Sequence, residues 1–376
     1  MPRVNIVRDS AVVRTPRVMQ MEGMFDVPPS QRSAEQWTVD LALPDAWNVG
    51  LIVGPSGSGK TTVARELFGE SIAESWQWPH DKSLLDGFPQ GMSIKEIVEL
   101  LSSVGFSSPP SWVRPFHVLS NGEQFRVNMA RTLAEMKDLA VVDEFTSVVD
   151  RTVAQIGSAA IAKTVRRRNQ KFIAVACHYD IAEWLEPDWI YEPHANRLTA
   201  GRLLRRPKIE LTVQRVHSSA WQLFRKHHYL NTELNAAARC FVAFWRGVPV
   251  AFVGAQFMPH PKTRTLYREH RAVCLPDYQG VGIGNALSCY VGAMLKAIGM
   301  HYNSVTSHPA MIRARAKSTN WAMVGQSKVG DRKVHSGTLG GANWRPETMI
   351  KRQTFTFRYV GPALDKAEAQ HVWNGA

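Results

Sequence analysis

Hydrophobic and polar positions along the chain follow two different rhythms. From Trp37 the pattern reads strand, turn, strand: WTVDLAL over 37–43, then NVGLIVG over 48–54, ending in a glycine-rich turn. KTTVARELF (60–68) follows as a helix. IKEIVELLSSVG has helical spacing at Ile94, Ile97, Val98 and Leu101, and Gly105 ends it. GEQFRVNMARTLAEM (122–136) is another helix. LAVVDEF (139–145) and FIAVACH (172–178) are unbroken apolar runs, as expected of strands buried on both faces of a parallel sheet. Strands alternating with helices predict an α/β domain. Residues 1–35 are expected to form an irregular arm, because Pro16, Pro28 and Pro29 interrupt any long element.

The rhythm changes near residues 200–210, where RRPKIE carries no periodicity. Beyond it, SAWQLFRKHHYL (219–230) reads as a helix. FVAFWRG and PVAFVGAQFM read as a hairpin turning at Gly247-Val248. TLYREHRAVCLP (265–276) is a further strand, followed by a glycine loop and the helix NALSCYVGAMLKAIG (285–299). MHYNSVTSH (300–308) is a strand, PAMIRARAKSTNW (309–321) a helix and QTFTFRYV (353–360) a late strand. The second domain is therefore α+β. The division expected is an arm at 1–35, an α/β domain at 36–205 and an α+β domain at 206–376.

Charge separates the halves further. Residues 1–201 hold 20 basic and 24 acidic side chains, a net of −4, whereas residues 202–376 hold 25 and 8, a net of +17. So basic a half-chain suits a polyanionic partner, nucleic acid above all. No apolar run is long enough to span a bilayer, so no membrane partner is expected. The start MPRVNIVRDS has no apolar core of a secretory signal. Cys177, Cys240, Cys274 and Cys289 are far apart with no CxxC pair, which reads as reduced thiols in a cytoplasmic protein.

The glycine-rich turn is GPSGSGKTT, comprising Gly54, Pro55, Ser56, Gly57, Ser58, Gly59, Lys60, Thr61 and Thr62. In such a P-loop the glycines let backbone N–H groups face phosphates, the lysine neutralises β/γ charge and the hydroxyl of Thr61 holds Mg2+. Asp143 ends an apolar strand, where a second Mg2+ contact belongs. Glu144 follows it and can polarise the attacking water. His178 ends the next strand, within reach of a γ-phosphate. ATP and Mg2+ are the cofactors implied.

LSNGEQ (119–124) resembles the LSGGQ signature of the ABC ATPases, and Ser147-Val148-Val149-Asp150 resembles their D-loop. The resemblance implies that Ser120 and Gly122 contact the γ-phosphate bound to a second copy, hence a homodimer closing on two ATP molecules. Only about 60 residues separate Lys60 from Ser120, short for the family's helical subdomain and unlike a transporter cassette. The Q-loop glutamine is placed at Gln77, with Gln90 second. Trp37 or Phe25 is the candidate for stacking on adenine.

LPDYQGVGIGNAL resembles the pyrophosphate loop Q/R-x-x-G-x-G/A of the GNAT acetyltransferases, with Gln279, Gly282 and Gly284 at the matching positions. By that resemblance Gln279, Gly280, Val281, Gly282, Ile283 and Gly284 hold acetyl-CoA or a related acyl donor. A base then has to take a proton from an amine, and Glu269 on the preceding strand is the candidate. The helix that in many GNATs carries a tyrosine acid reads PAMIRARAKSTNW and has none; Ser318 or Trp321 occupies the region. His227, His228 and Tyr229, with His308, either converge where substrate binds or are polar helix ends; His228 and Tyr229 are the catalytic candidates among them.

HHYL, LPDYQGVGIG and TSHPA…STNW together resemble the phage Mom family, which modifies the exocyclic amine of adenine in DNA. The match covers roughly 210–360. It implies an ATP-dependent enzyme that transfers an acyl-type group to a base amine, with double-stranded DNA as partner and the host cytoplasm as the compartment of a phage-encoded protein. The base has to be exposed first, and Trp321 and Trp344 are placed to stack on it. Two alternatives remain: an ATP-coupled RNA or tRNA acetyltransferase, and a DNA-binding ABC ATPase whose GNAT fold is only a binding module.

Overall fold

The computed structural model describes residues 3–28, 32–201, 204–228, 233–259, 263, 265–327 and 353–375. They divide into two compact units. The first comprises Met1–Trp76, Thr132–Val149 and Ile161–Pro207; the second comprises Gln77–Arg131, Asp150–Ala160 and Lys208–Ala376. The units interleave in sequence, so part of the segment 36–205 packs with the segment that follows 207.

The first unit is α/β. Its sheet runs in the order Leu139–Val142, Lys171–Ala176, Val49–Val53, Trp189–Glu192, Arg197–Ala200. The first four strands are parallel and the last is antiparallel at the edge. All five residues of Val49–Val53 are buried, as the continuous apolar pattern requires of a central strand. The strand is fixed at its start by Asp188, whose carboxylate accepts from the backbone N–H groups of Asn48 (2.8 Å) and Val49 (2.9 Å). Gly50 lies flat against the indole of Trp189, where a methyl group would fall inside the ring.

The N-terminal segment is not the irregular arm expected. Arg3–Ala11 pairs antiparallel with Arg32–Asp40, from Arg3↔Asp40 to Ala11↔Arg32. Ile6, Val39 and Leu41 are buried in one cluster with Ile52, Val63 and Trp189. The prolines do not prevent this because Pro16 occupies the first turn of the helix Pro16–Phe25, where a missing N–H costs nothing, and Thr15 caps it. Pro29 lies outside the described residues.

The second unit is α+β. Its seven-stranded sheet has the order Trp321–Ser327, Thr354–Tyr359, His301–Thr306, Leu266–Cys274, Val248–Phe257, Arg239–Trp245, Thr212–Val216. Every pairing is antiparallel except Leu266–Cys274 with His301–Thr306. The hairpin turns one residue earlier than expected, at Arg246-Gly247, with φ of 52° and 77°. Both central residues of a tight two-residue turn need positive φ, and the valine at 248 would resist it. The expected helix at 219–230 is broken into the short turns Ser218–Ala220, Trp221–Phe224 and Arg225–His227. Trp221 and Phe224 lie in the single α-helical turn between two 3-10 turns, and both are buried. Trp321 opens a strand instead of closing the helix, which is only Pro309–Ala316.

Gly50→Ala should destabilise the first unit by about 1–3 kcal/mol, because the Trp189 indole has to leave its place for the added methyl. The urea unfolding midpoint is the measurement; an unchanged midpoint would show that the sheet tolerates a side chain there.

Candidate functional site

In the first unit the central strand Val49–Val53 delivers the chain into the P-loop. Gly57 and Gly59 have φ of 79° and 81°, values that side chains resist, and Gly59 is the residue before the helix Lys60–Phe68. Gly54 sits buried beneath the loop, where an added Cβ would come 2.8 Å from Ser58 Oγ. A cavity of about 590 Å³ opens above, lined by residues 56–62, Asp143, Glu144, Ser147 and Cys177, among others. Ser56, Gly57, Ser58, Gly59, Lys60, Thr61 and Thr62 therefore come together with Asp143 and Glu144 as expected. Lys60 Nζ donates to the carbonyl of Pro55 at 2.7 Å. Ser58 Oγ is buried with no hydrogen-bond partner among the described residues.

Asp143 accepts from the N–H of Glu144 at 2.9 Å, and Glu144 and Thr146 have left-handed φ of 51° and 67°. Such a backbone is uncommon for side chains this large and concentrates at functional sites. Two adjacent carboxylates, a free hydroxyl and a helix start suit Mg2+ and a polyphosphate. Cys177, which the pattern reading passed over, lines the cavity at the tip of Lys171–Ala176, and exposed His178 is the next residue. Of the two aromatic candidates, Phe25 is 70% exposed and Trp37 lies opposite Ile6 in the N-terminal strand pair.

The signature segment belongs to the second unit, as do Gln77 and Gln90. Ser120 starts the helix Asn121–Glu135 with a reciprocal cap: its N–H and hydroxyl donate to Glu123 at 3.0 and 3.1 Å. Gly122 packs against Val153, where an added Cβ would come within 3.3 Å of the valine side chain, a tight contact. Gln77 is exposed, and its carbonyl accepts from Arg131 at 2.6 Å.

Also in the second unit, Leu266–Cys274 and His301–Thr306 pair only from Leu266↔His301 to Glu269↔Ser304 and then part. The loop 279–284 follows the parting. Gly282 has φ 98° and nothing within 4 Å of an added Cβ, and it precedes the helix Ile283–Ala297. A helix N-terminus with open space before it is an anion site in waiting. The rest of the loop is engaged. Gln279 accepts from the N–H of Ser107 at 2.7 Å and donates to the carbonyl of Cys274 at 2.8 Å. Gly280 faces Ala160 and Gly105, Ile283 is buried, and Gly284 lies against Cys274; Val281 is half-buried beside them.

Glu269 is not where a base needs to be. It is buried, and its carboxylate accepts from Arg315 at 2.8 and 3.1 Å, from Ser304 at 2.7 Å, from Tyr302 at 3.1 Å and from Ser288. Burial alone would raise its pKa, but the Arg315 charge and the donations of Ser288, Arg315 and Ser304 outweigh burial and hold the carboxyl below its ordinary value. A carboxylate so fully satisfied does not accept a substrate proton readily. Glu269, expected as the base, is thus placed by the structure in a buried ion pair with Arg315.

The histidines do not form one cluster around it. His228 is buried edge-on to Trp221, 5.7 Å between ring centres, and Tyr229 lies outside the described residues. His308 is buried near Trp112, and burial lowers its pKa to about 4. His270 is lowered to about 4 by burial and by Arg271 and Arg268, and its Nε2 accepts from the N–H of Asn235 at 3.2 Å. Trp321 is buried, with the Arg315 guanidinium 4.6 Å from its ring centre, so it packs in the core; Trp344 lies outside the described residues.

A family model described as the acetyltransferase (GNAT) family matches residues 203–306. The ribosome protection protein VmlR of Bacillus subtilis is 26% identical over 118 residues, 26% of this chain and 21% of that protein. The zinc import ATP-binding protein ZnuC 1 of Aliivibrio fischeri is 27% identical over 146 residues, 34% of this chain and 57% of that protein. The chain thus spans less than two thirds of these relatives. Among solved structures, a dimeric ATP-binding cassette bound to ADP and Pi aligns with TM-score 0.36 and 16% identity, over 45% of this chain and 92% of that one. An IAA acetyltransferase from Bacillus cereus aligns with TM-score 0.31 and 15% identity, over 40% and 99%. The chain is mixed α/β, with a GNAT family match over residues 203–306 and ATP-binding proteins among its relatives. No helix among the described residues is long and apolar enough to cross a membrane.

Glu269→Gln leaves the Arg315 guanidinium buried without its counter-charge, which should cost about 3–5 kcal/mol. The folded carboxyl titrates below the unfolded one. Its contribution is therefore complete above the ordinary glutamate value of about 4.3 and disappears as pH falls through the depressed folded value. Urea midpoints measured from pH 7 down to pH 3 should show the variant far below wild type at neutrality and closer to it in acid. Equal midpoints at pH 7, with loss of acyl transfer alone, would return Glu269 to the role of base.

Proposed function

We propose that this chain is an ATP-dependent nucleic-acid modification enzyme that transfers an acyl-type group from acetyl-CoA or a related donor to a base amine, adenine in DNA foremost. The observation that carries the reading is the open helix start at Gly282, set where two parallel strands part, in a chain that also holds a complete P-loop cavity. Residues 279–284 would hold the donor's pyrophosphate on backbone N–H groups. Lys60, Thr61 and Asp143 would hold ATP with Mg2+, which supplies charge neutralisation on the phosphates, and Glu144 would orient water. Ser120 and Gly122 would complete the ATP site of a second copy, and Gln77 would serve as the Q-loop residue.

The target follows from charge. A net of +17 on residues 202–376 is far more than one CoA requires and suits a phosphate backbone. The resemblance of HHYL, the donor loop and TSHPA…STNW to the Mom family favours adenine in duplex DNA, and a phage-encoded protein acting in the host cytoplasm. With Glu269 committed to Arg315, a base is needed elsewhere, and Tyr229 and His228 keep that candidacy.

Mass spectrometry of nucleosides from cells expressing the protein should reveal an acylated adenine in DNA that vanishes with Gly282→Asp, a charge placed where the pyrophosphate belongs. A mark found in RNA alone moves the reading to an RNA acetyltransferase; no mark in either makes the GNAT fold a binding module.

Glu144→Gln should retain ATP and accumulate as a dimer in sedimentation with Mg-ATP. A monomer at every ATP concentration would end the proposal that the signature acts across two copies.

A further inference from the structure

The donor loop is shaped by residues far upstream of it, on the segment that carries the signature. Arg126 lies one turn beyond Gly122 on the helix Asn121–Glu135, and its side chain is fully buried. Its Nη2 donates to the carbonyl of Asp277 at 3.0 Å, two residues before Gln279. Its Nη1 stands 3.8 Å from the Asp277 carboxylate, and Nε and Nη1 have no hydrogen-bond partner among the described residues. The contact extends along the loop. Ser107 donates to Gln279, and an added Cβ on Gly280 would meet Ala160 at 2.7 Å and the Cα of Gly105 at 2.9 Å. A Cβ on Gly105 would come 2.8 Å from the carbonyl of Gln279. Between Gly105 and residues 279–280, backbone therefore rests on backbone. Asp277 reaches back to the signature itself, 3.6 Å from a Cβ placed on Gly122.

Two physical consequences follow. Close-packed backbones do not deform continuously, so a displacement of the helix start has to carry the loop along or break the contact. A buried guanidinium with unmet donors is also costly, while the Asp277 side chain beside it is 54% exposed and able to close onto it. The contact thus has a second, better-paired arrangement within reach. We propose that Arg126 is a positioning residue for the acyl-donor loop, and that the signature segment and this loop shift as one element, so that ATP engagement and acyl-donor binding are coupled. This rests on the reading that 279–284 takes an acyl-CoA and that 119–124 closes on ATP.

The test is calorimetry on the full chain with acetyl-CoA and a non-hydrolysable ATP analogue, each titrated with and without the other. Coupling through binding is reciprocal. The acetyl-CoA Kd should change at least threefold when the analogue is present, and the analogue's Kd should change by the same factor when acetyl-CoA is present. Arg126→Lys keeps the charge but loses the planar fork and should reduce that factor. Should it fail to fold, Asp277→Ala, at a half-exposed side chain, should still bind both ligands with the factor reduced. Identical Kd values in wild type, or full coupling in the variants, would overturn the inference while leaving the two sites intact. No acetyl-CoA binding at all would instead remove the donor site, and the inference with it.

Discussion

A loop that ends in a left-handed glycine and turns directly into a helix is used twice, and both candidate sites depend on it. Gly59 with φ 81° precedes Lys60–Phe68; Gly282 with φ 98° precedes Ile283–Ala297. In each case the first N–H groups of the helix have no partner within it and point outward together. The macrodipole adds positive potential at the same place. A phosphate needs no positively charged side chain to be held there, which is why two unrelated folds in one chain converge on the same turn. What differs is the surroundings. The first loop opens on carboxylates and a lysine suited to hydrolysis. The second opens where two parallel strands part.

That gap needs an anchor, because parallel strands that stop pairing expose backbone groups and weaken the sheet. The Glu269–Arg315 pair sits at the last paired position, Glu269↔Ser304, and draws in Ser288 from the helix Ile283–Ala297 and Tyr302 and Ser304 from the neighbouring strand. Trp321 covers the guanidinium. Such a network is stabilising only when each member is satisfied. Here the carboxylate is, while Arg315 Nε has no hydrogen-bond partner among the described residues; the network ties both strands to the helix Ile283–Ala297. A residue type chosen by chemistry for catalysis is thereby assigned by geometry to architecture.

Most of the fold was legible because long periodic runs carry their own signal. Lys60–Phe68, Val49–Val53 and the helix at 94–103 stand where the pattern put them, and Gly105 ends the last with φ 93°. The N-terminal strand pair was hidden because proline was weighed by identity and not by position: at the first turn of a helix it is harmless. The edge strand Thr212–Val216 was missed because it is too short and half-exposed to alternate cleanly. The P-loop cavity was legible residue by residue, since its chemistry is local in sequence. The buried partner of Glu269 gave no local signal, because Arg315 is 46 positions away on another helix. Ser107 and Arg126 gave no local signal either: what makes them matter is a contact 151–172 residues distant.

The interleaving of the two units gives that long-range contact its meaning. In a chain of two independent domains, the donor loop would be completed by residues near it in sequence. Instead, residues 77–131 and 150–160, which lie between the P-loop and the end of the cassette segment, pack with residues 208–376. A fully buried arginine there, held by a carbonyl of the donor loop's own turn, is an expensive choice that apolar packing would have avoided. Such a group is tolerated where it fixes one arrangement against another. Between Lys60 and Ser120, the part from residue 77 onward packs with the second sheet's segment, through Arg313 with Glu99, His308 beside Trp112 and Gln279 on Ser107.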